Sequence, residues 1–228
     1  MVCGLPLRIH LVGGASCASG SSEARRIWKT VVFKVEFMTV PGLKYVAAFL
    51  SSSEEAALLD SVDAEPWRTD LKRRVQHYGY RYDYTTRTVD SSAFLGMLPA
   101  WAQQTAARLV ADGHMSDTPN QLIVNEYEPG QGINAHIDSI PSFGPIVCSL
   151  TLGSHCVMEL SHIDGGEIER LLLEPASLVV LAGDARYKWR HGIPARTSDT
   201  VGDTVLTRSR RVSLTFRTVN LANDATSS

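Results

Sequence analysis

The chain has 228 residues, 22 Lys+Arg against 24 Asp+Glu for a formal net charge of −2, and 44% hydrophobic content. That composition suits a globular chain with a sizeable core, argues against disorder, collagen-like sequence and solenoid repeats, and excludes a polycation over the whole length. No apolar run approaches the ~18–20 residues of a membrane span. The four cysteines, Cys3, Cys17, Cys148 and Cys156, show no CxxC spacing, so neither a disulfide scaffold nor a zinc cluster is expected and a reduced compartment is the simplest reading.

Residues 1–37 read as a flexible N-terminal segment. Up to Lys34 they carry Arg8, Arg25, Arg26, Lys29 and Lys34 against Glu23 alone, with Gly- and Ser-rich stretches. Basic, serine-rich and acid-poor are the traits of a mitochondrial transit segment, but the periodicity is poor for the amphipathic helix such signals use. The alternative is a tail, or a start placed ahead of Met38. Residues 38–219 are expected to form the folded domain and 220–228 a polar, disordered tail. The expected location is cytoplasm or nucleus, or the mitochondrion if the leader acts as one.

Ser51-Ser52-Ser53-Glu54-Glu55 before an Ala/Leu run predicts a helix start, with serine capping and acids at its positive end, and a stop by Pro66. From Arg68 to Arg87 six basic residues (Arg68, Lys72, Arg73, Arg74, Arg81 and Arg87) outnumber Asp70 and Asp83, and Tyr78, Tyr80, Tyr82 and Tyr84 alternate among them. Two readings fit: cations for phosphates with an aromatic stacked on an extruded base, or a hairpin whose tyrosines pack on the core under a solvated basic rim. Arg186, Lys188 and Arg190 extend the patch or flank a site. Pro99 to Asp112 predicts a second helix, stopped by Gly113. From Gln121 onward short β-branched runs alternate with turn signals. LIVNEY, INAHID, IVCSLTL, HCVMEL, EIERLLL, SLVVLA, TVLT and RVSLTFRTV make about eight strands with no helix between them. The fold class is therefore α+β, mainly β: a jelly-roll (double-stranded β-helix) core with N-terminal helices packed on one face.

His136-Ile137-Asp138 ends one of these strands, and alternation places His136 and Asp138 on one face. His191 lies further on, in Trp189-Arg190-His191-Gly192. Two imidazoles and a carboxylate suit non-heme Fe(II) with open positions, though His-x-Asp alone is a weak signal and a half-buried core histidine is the ordinary alternative. His162-Ile163-Asp164 repeats the tripeptide, but Gly165-Gly166 follows it; Asp164 reads as a turn residue and His162 as exposed. His114 and His155 read as structural. On the final strand Arg211, Ser213, Thr215 and Arg217 share one face and Val212, Leu214 and Phe216 the other. Either the polar face meets solvent or it points inward and binds an anion. The two arginine Cα atoms lie ~20 Å apart, six steps of ~3.3 Å, which leaves room for a short dicarboxylate between guanidinium forks.

Asn125-Glu126-Tyr127-Glu128-Pro129-Gly130-Gln131-Gly132, His136-x-Asp138, His191-Gly192 and Arg211-x5-Arg217, in this order, resemble the AlkB family of Fe(II)- and 2-oxoglutarate-dependent dioxygenases over about Val40 to Val219. Arg73-Arg74-Val75-Gln76-His77-Tyr78-Gly79-Tyr80, Leu150-Thr151-Leu152-Gly153-Ser154 and Arg196 most resemble the branch that hydroxylates modified wobble uridine in tRNA. The resemblance implies His136, Asp138 and His191 as iron ligands. It implies Arg211 at the distal carboxylate of 2-oxoglutarate, Arg217 near its metal-binding end, and Asn125, Tyr127 and Ser213 as further cosubstrate contacts. Ser213 stands where relatives often have Asn. Arg73, Arg74, His77, Tyr78 and Tyr80 would fall on a substrate-facing lid. Fe(II), 2-oxoglutarate and O2 are the implied cofactors: decarboxylation to succinate generates the oxidant that attacks a substrate C–H bond. The implied partner is nucleic acid, tRNA first, with no membrane and a monomeric chain. Members of that branch commonly carry an RNA-recognition module and a methyltransferase domain, neither of which fits in 228 residues, so those functions are expected to come from partners, such as a separate methyltransferase, or to be absent. Demethylation of N-alkylated nucleic acid or oxidation of a protein side chain are the alternatives within the chemistry; a metal-binding β-barrel module or a zinc hydrolase are those outside it.

Overall fold

A computed structural model describes residues 7–11, 33–37, 40–69 and 72–221. Asp70, Cys3 and Cys17, most of the basic leader and the tail from Ala222 to Ser228 lie outside the described residues. The first two strands, β1 (Leu7–Leu11) and β2 (Phe33–Phe37), pair antiparallel with each other.

Two helices and most of the remaining strands build a sandwich. α1 (Ser52–Asp63) begins where the serines and acids place it. The Ser51 hydroxyl accepts from the Glu54 amide, and the Glu54 carboxylate accepts from the Ser51 amide at 2.7 Å, a reciprocal cap. α2 (Ala100–Ala111) starts after Pro99 and stops at Asp112 and Gly113, whose φ of +68° is the left-handed conformation that ends a helix. The larger sheet has six strands in the order β3 (Leu43–Val46), β10 (Ser177–Leu181), β7 (Phe143–Gly153), β14 (Arg211–Val219), β5 (Gln121–Tyr127) and β4 (Val75–Tyr78). The smaller has four: β6 (Ile133–His136), β11 (Trp189–Ile193), β8 (Cys156–His162) and β9 (Glu169–Leu173). Every pairing in both sheets is antiparallel. A hairpin of β12 (Ser198–Val201) and β13 (Thr204–Thr207) precedes β14.

Alternation along the central strands decides what goes where. Leu122 and Val124 of β5, Leu150 and Leu152 of β7, and Val212, Leu214 and Phe216 of β14 form one cluster with Leu58, Val62, Ala102, Ala106 and Leu109 of the helices. Burying each such side chain contributes about 1.5–3 kcal/mol, which is why α1 and α2 lie on this outer face. Opposite faces of β7 and β10, through Val147, Val179 and Leu181, meet Met158, Leu160, Leu171 and Ile193 of the four-stranded sheet. That inner layer is the jelly-roll interior expected from the strand pattern.

The structure departs from the strand pattern expected of the sequence in several places, β12 among them as a strand outside the eight runs. Phe143-Gly144-Pro145, a turn signal in sequence terms, is the start of β7; the β7–β14 register shifts between Arg217 and Val219, and such an irregularity tolerates a proline with no N–H to give. A short helix, α3 (Gly183–Tyr187), interrupts the run expected to hold no helix. β11, which carries His191, is a strand beyond those expected, because Trp189-Arg190-His191-Gly192 lacks a clean polar/apolar alternation.

Candidate active site

The polar face of β14 is buried. Arg211 is 4% exposed and Arg217 8%, with Ser213 and Thr215 comparably covered, so the solvent-facing alternative fails and the inward one holds. Register builds a polar bed around them. Arg211 stands opposite Tyr127, and Ser213 is flanked by Asn125 on β5 and Thr151 on β7. Arg211 spends one amino group on the Thr151 hydroxyl at 2.8 Å and lies 5.6 Å from the Tyr127 ring. Its Nε and other amino nitrogen are buried without a partner, as is the Nε of Arg217. Buried donors are costly to leave unpaired, so this bed is chemically incomplete in the way an anion would complete. Burial pushes the Tyr127 phenol up, opposed by Arg73 and Arg211, and the protonated hydroxyl remains a donor. Ser213 shares its hydroxyl with Ser149 at 3.0 Å.

The other half of the site hangs on the smaller sheet. His136 and His191 are directly paired across β6 and β11, and their rings lie 4.5 Å apart between centroids. Gly192 makes that approach fit: a Cβ there would lie 2.8 Å from the Ala135 nitrogen, which explains the His-Gly pair. The His136 Nδ1 lies 2.8 Å from the Asn134 carbonyl, which only accepts; Nδ1 therefore carries a proton, and Nε2 is the ring nitrogen left for a ligand. Asp138 lies just past the end of β6, 7% exposed, one carboxylate oxygen accepting from Arg217 at 2.7 Å. Its other oxygen has no hydrogen-bond partner and sits 3.7 Å from the His191 Nε2. Burial alone would raise the Asp138 carboxyl. Arg217 above all, with His191, His136 and Arg186, overcomes this and holds it below the usual carboxylate range. Burial pushes His191 down to about 4, against the pull of Asp138, so it is neutral at physiological pH. Among the described residues no group of three or more His, Cys, Asp or Glu side chains is already arranged to hold a metal ion. The donor set nevertheless fits a divalent cation: two imidazoles and an ionised carboxylate oxygen with no hydrogen-bond partner among the described residues.

The lid expectation divides by strand face. On β4 the side chains of Gln76 and Tyr78 point outward, toward the helices. Tyr78 packs edge-on against Trp101 at 5.5 Å and donates to Gln76. Arg74 forms an ion pair with Glu126 and stacks over Trp67 at 5.0 Å. Tyr78 and Arg74 are thus corrected from substrate contacts to outer-face residues. Glu126, to which the sequence assigns no role, is 3% exposed and also binds Arg210 at 2.6 Å, which reaches Asp63 on α1. Arg73 turns inward instead: its Nε donates to the Asn125 side chain at 2.8 Å, and its guanidinium is 5.9 Å from the Tyr127 ring. His77 meets Tyr84 edge-on at 5.8 Å, and Tyr80 meets Phe94 at 5.0 Å. Tyr82 sits on the Asp138 side, 5.6 Å from Phe143 and close enough to Asp138 for that charge, after burial, to raise its phenol. Alternation over Tyr78 to Tyr84 does not single it out, because β4 ends at Tyr78 and Gly79 turns the chain with φ +76°.

Of its two sequence readings, Arg186 takes the one that flanks a site. It is no patch residue: at 2% exposure it donates to the main-chain carbonyls of Asp138, Ser139, Phe143 and Gly144. Lys188 pairs with Asp184, and Arg196 with Glu159. The second His-x-Asp is a turn, as its glycines indicate. Asp164 is exposed and its amide donates to the His162 ring, but His162 is half-buried against Trp189 rather than exposed. His114 packs on Phe49, and His155 lies 3.8 Å from Asp199; both are structural.

A buried arginine-lined bed on one sheet of a jelly roll, with two histidines and an aspartate facing it from the other, is the plan of an oxygenase site. The profile of the 2OG-Fe(II) oxygenase superfamily matches residues 63–217. An Arabidopsis thaliana protein named "Alkylated DNA repair protein ALKBH8 homolog" is 38% identical over 205 residues, covering 80% of this chain and 59% of that one. The Mus musculus protein "tRNA (carboxymethyluridine(34)-5-O)-methyltransferase ALKBH8" is 39% identical over 203 residues, 78% of this chain and 30% of that one. A Danio rerio relative named "Probable RNA/DNA demethylase ALKBH6" is 31% identical over 209 residues, 78% of this chain and 86% of that one. The chain therefore spans less than two thirds of the length of both ALKBH8 relatives. The solved structure of OsALKBH1 superposes with a TM-score of 0.59 at 16% identity, covering 78% of this chain and 97% of that one, which supports the fold. The chain belongs to the 2OG-Fe(II) oxygenase superfamily and, within it, to the AlkB family, with 38–39% identity to the two ALKBH8 relatives over most of its length. Its class is that of a 2-oxoglutarate-dependent dioxygenase, which sets aside the binding-module and zinc-hydrolase alternatives.

Proposed function

We propose that this domain hydroxylates the carbon substituent of a modified wobble uridine in tRNA. The observation that carries the proposal is the buried polar face of β14, with unpaired Arg211 and Arg217 donors lying across the sandwich from His136, Asp138 and His191. In this reading His136 Nε2, His191 Nε2 and the free oxygen of Asp138 hold Fe(II), and Arg211 grips the distal carboxylate of 2-oxoglutarate. Bound there, Fe(II), 2-oxoglutarate and O2 supply an oxidant that inserts one oxygen into a C–H bond, with CO2 and succinate as the other products. The chain's own part is positional. Arg217 keeps Asp138 ionised and oriented. Tyr127 and Asn125 offer hydrogen bonds to the cosubstrate, with Asn125 held by Arg73. Tyr82 covers the pocket on the lid side, while exposed Arg81, Arg87 and Tyr84 offer cations for phosphates and a ring for a base.

What favours a uridine substituent is the ALKBH8 branch, whose mouse member is named for a wobble-uridine methyl transfer. Demethylation is the second reading, favoured by the names of the Danio rerio relative and of a Caenorhabditis elegans "DNA N6-methyl adenine demethylase". The chemistry separates them, since a hydroxylated N-methyl group leaves as formaldehyde whereas a hydroxylated carbon substituent stays. Mass spectrometry of nucleosides from tRNA incubated with protein, Fe(II), ascorbate and 2-oxoglutarate decides, with His136→Ala as the blank. Gain of one oxygen on a wobble-uridine derivative is expected. Loss of a methyl group would move the domain to the demethylases, and an unchanged nucleoside profile would contradict a tRNA substrate.

A further inference from the structure

Arg186 is a buried cation whose hydrogen bonds all end on main-chain carbonyls. A guanidinium taken out of water is expensive to keep unless something compensates. Here the compensation is the loop 138–144. Arg186 reaches the Asp138 carbonyl at 2.9 Å, those of Ser139 and Gly144 at 3.3 Å, and that of Phe143 at 3.4 Å. The fork thus grips the loop at both ends, and the 5.1 Å contact with the Tyr187 ring backs its plane. α3 leads directly into β11 and His191, so one short helix holds the backbone that presents Asp138 and aims the strand that presents His191.

We infer that Arg186 is a positioning residue for the metal site: it fixes the main chain of Asp138, while Arg217 fixes its side chain, so that the carboxylate's free oxygen is set beside His191 before any cation arrives. The Ser139 hydroxyl, 3.1 Å from the Arg87 carbonyl, ties the same loop to the lid. The inference rests on the reading of His136, Asp138 and His191 as ligands. Lysine cannot replace arginine here, because one compact ammonium does not span four carbonyls.

The test is Mn(II) affinity of the metal-free protein, measured by electron paramagnetic resonance for wild type, R186K, K188A and H136A. Loss of groups that orient ligands typically costs ~10–100-fold in metal affinity. R186K is expected to bind Mn(II) more weakly by that factor. K188A, which removes only the exposed pair with Asp184 on the same helix, should bind as wild type does. Wild-type affinity in R186K, with H136A silent, would overturn the role of Arg186 and leave the ligand assignment standing. Wild-type affinity in H136A would overturn the ligand assignment and the inference with it. If R186K does not fold, amide exchange in metal-free wild type decides: protection of the amides at 142–144 before metal is added supports the clamp, and exchange at unprotected rates overturns it.

Discussion

Arginines 211 and 217 make the site more than a pair of histidines with an aspartate. Each is buried on β14, and each keeps at least one donor that no protein group satisfies. Bidentate, charge-assisted hydrogen bonds are worth about 1.5–3 kcal/mol apiece, so Arg211→Ala should raise the KM for 2-oxoglutarate on the order of 100-fold or more. Succinate release without nucleic acid would read this, and an unchanged KM would contradict the assignment. His191 carries a pH prediction. Its folded value of about 4 lies below the ordinary ~6.5, so between those values the unfolded chain binds a proton that the folded one refuses. Metal-free protein should therefore lose up to about 3 kcal/mol of stability as pH falls from ~6.5 to ~4. Asp138 acts in the same direction at lower pH, since its lowered carboxyl stabilises the fold above the ordinary carboxylate range and that stability is lost as pH falls below it. Urea unfolding midpoints across that range would show the loss, and a flat profile would contradict a buried neutral His191. The ligand triad and the arginine pair are legible in the sequence as residues. Their convergence is not, because it depends on the pairing of β6 with β11.

At the scale of elements, β14 organises the domain. It lies between β7 and β5, one face apolar and sealed by α1 and α2, the other polar and turned into the sandwich. Truncating Phe216 to Ala should cost about 3–5 kcal/mol through reduced burial and the cavity left behind. Thermal or urea unfolding measures it, and a loss under 1 kcal/mol would mean the helices do not depend on that face. This strand is legible down to its ends, since alternation between arginines and apolar residues is a signal that no helix imitates. The two helices are legible too, because their caps are local chemistry. What stays hidden is set by tertiary context. Trp189-Arg190-His191-Gly192 puts Trp189 and His191 on the covered face and Arg190 on the exposed one, so side-chain polarity does not follow burial there. Arg186 resembles one more cation of a patch, and only the fold shows that it is buried. Arg73 and Arg74 are adjacent and alike, yet one turns to Asn125 and the other to Glu126, a division fixed by the faces of the neighbouring β5.

The molecule as a whole combines a closed cosubstrate bed with an open, basic rim. Arg81 and Arg87 are exposed beside Tyr84, while Arg74 and Arg186, which the sequence also offers as cations, are engaged within the fold. Removing Arg81 and Arg87 together should therefore weaken tRNA binding and lower its salt slope by about one for each phosphate no longer neutralised, while leaving the KM for 2-oxoglutarate unchanged. Filter binding over a salt series measures this, and an unaltered slope would place the nucleic acid elsewhere. Two sheets each carry half of the candidate site, and in the proposed reading they take Fe(II) and 2-oxoglutarate together. Anaerobic titration of the metal-free protein with Fe(II) and then 2-oxoglutarate tests this most directly, by following the visible charge-transfer absorption of the chelate. A saturable band at one iron per chain is expected, absent in His136→Ala and displaced to much higher 2-oxoglutarate concentration in Arg211→Ala. Absence of the band in wild type, or its persistence in His136→Ala, would contradict a shared pocket built from the two sheets.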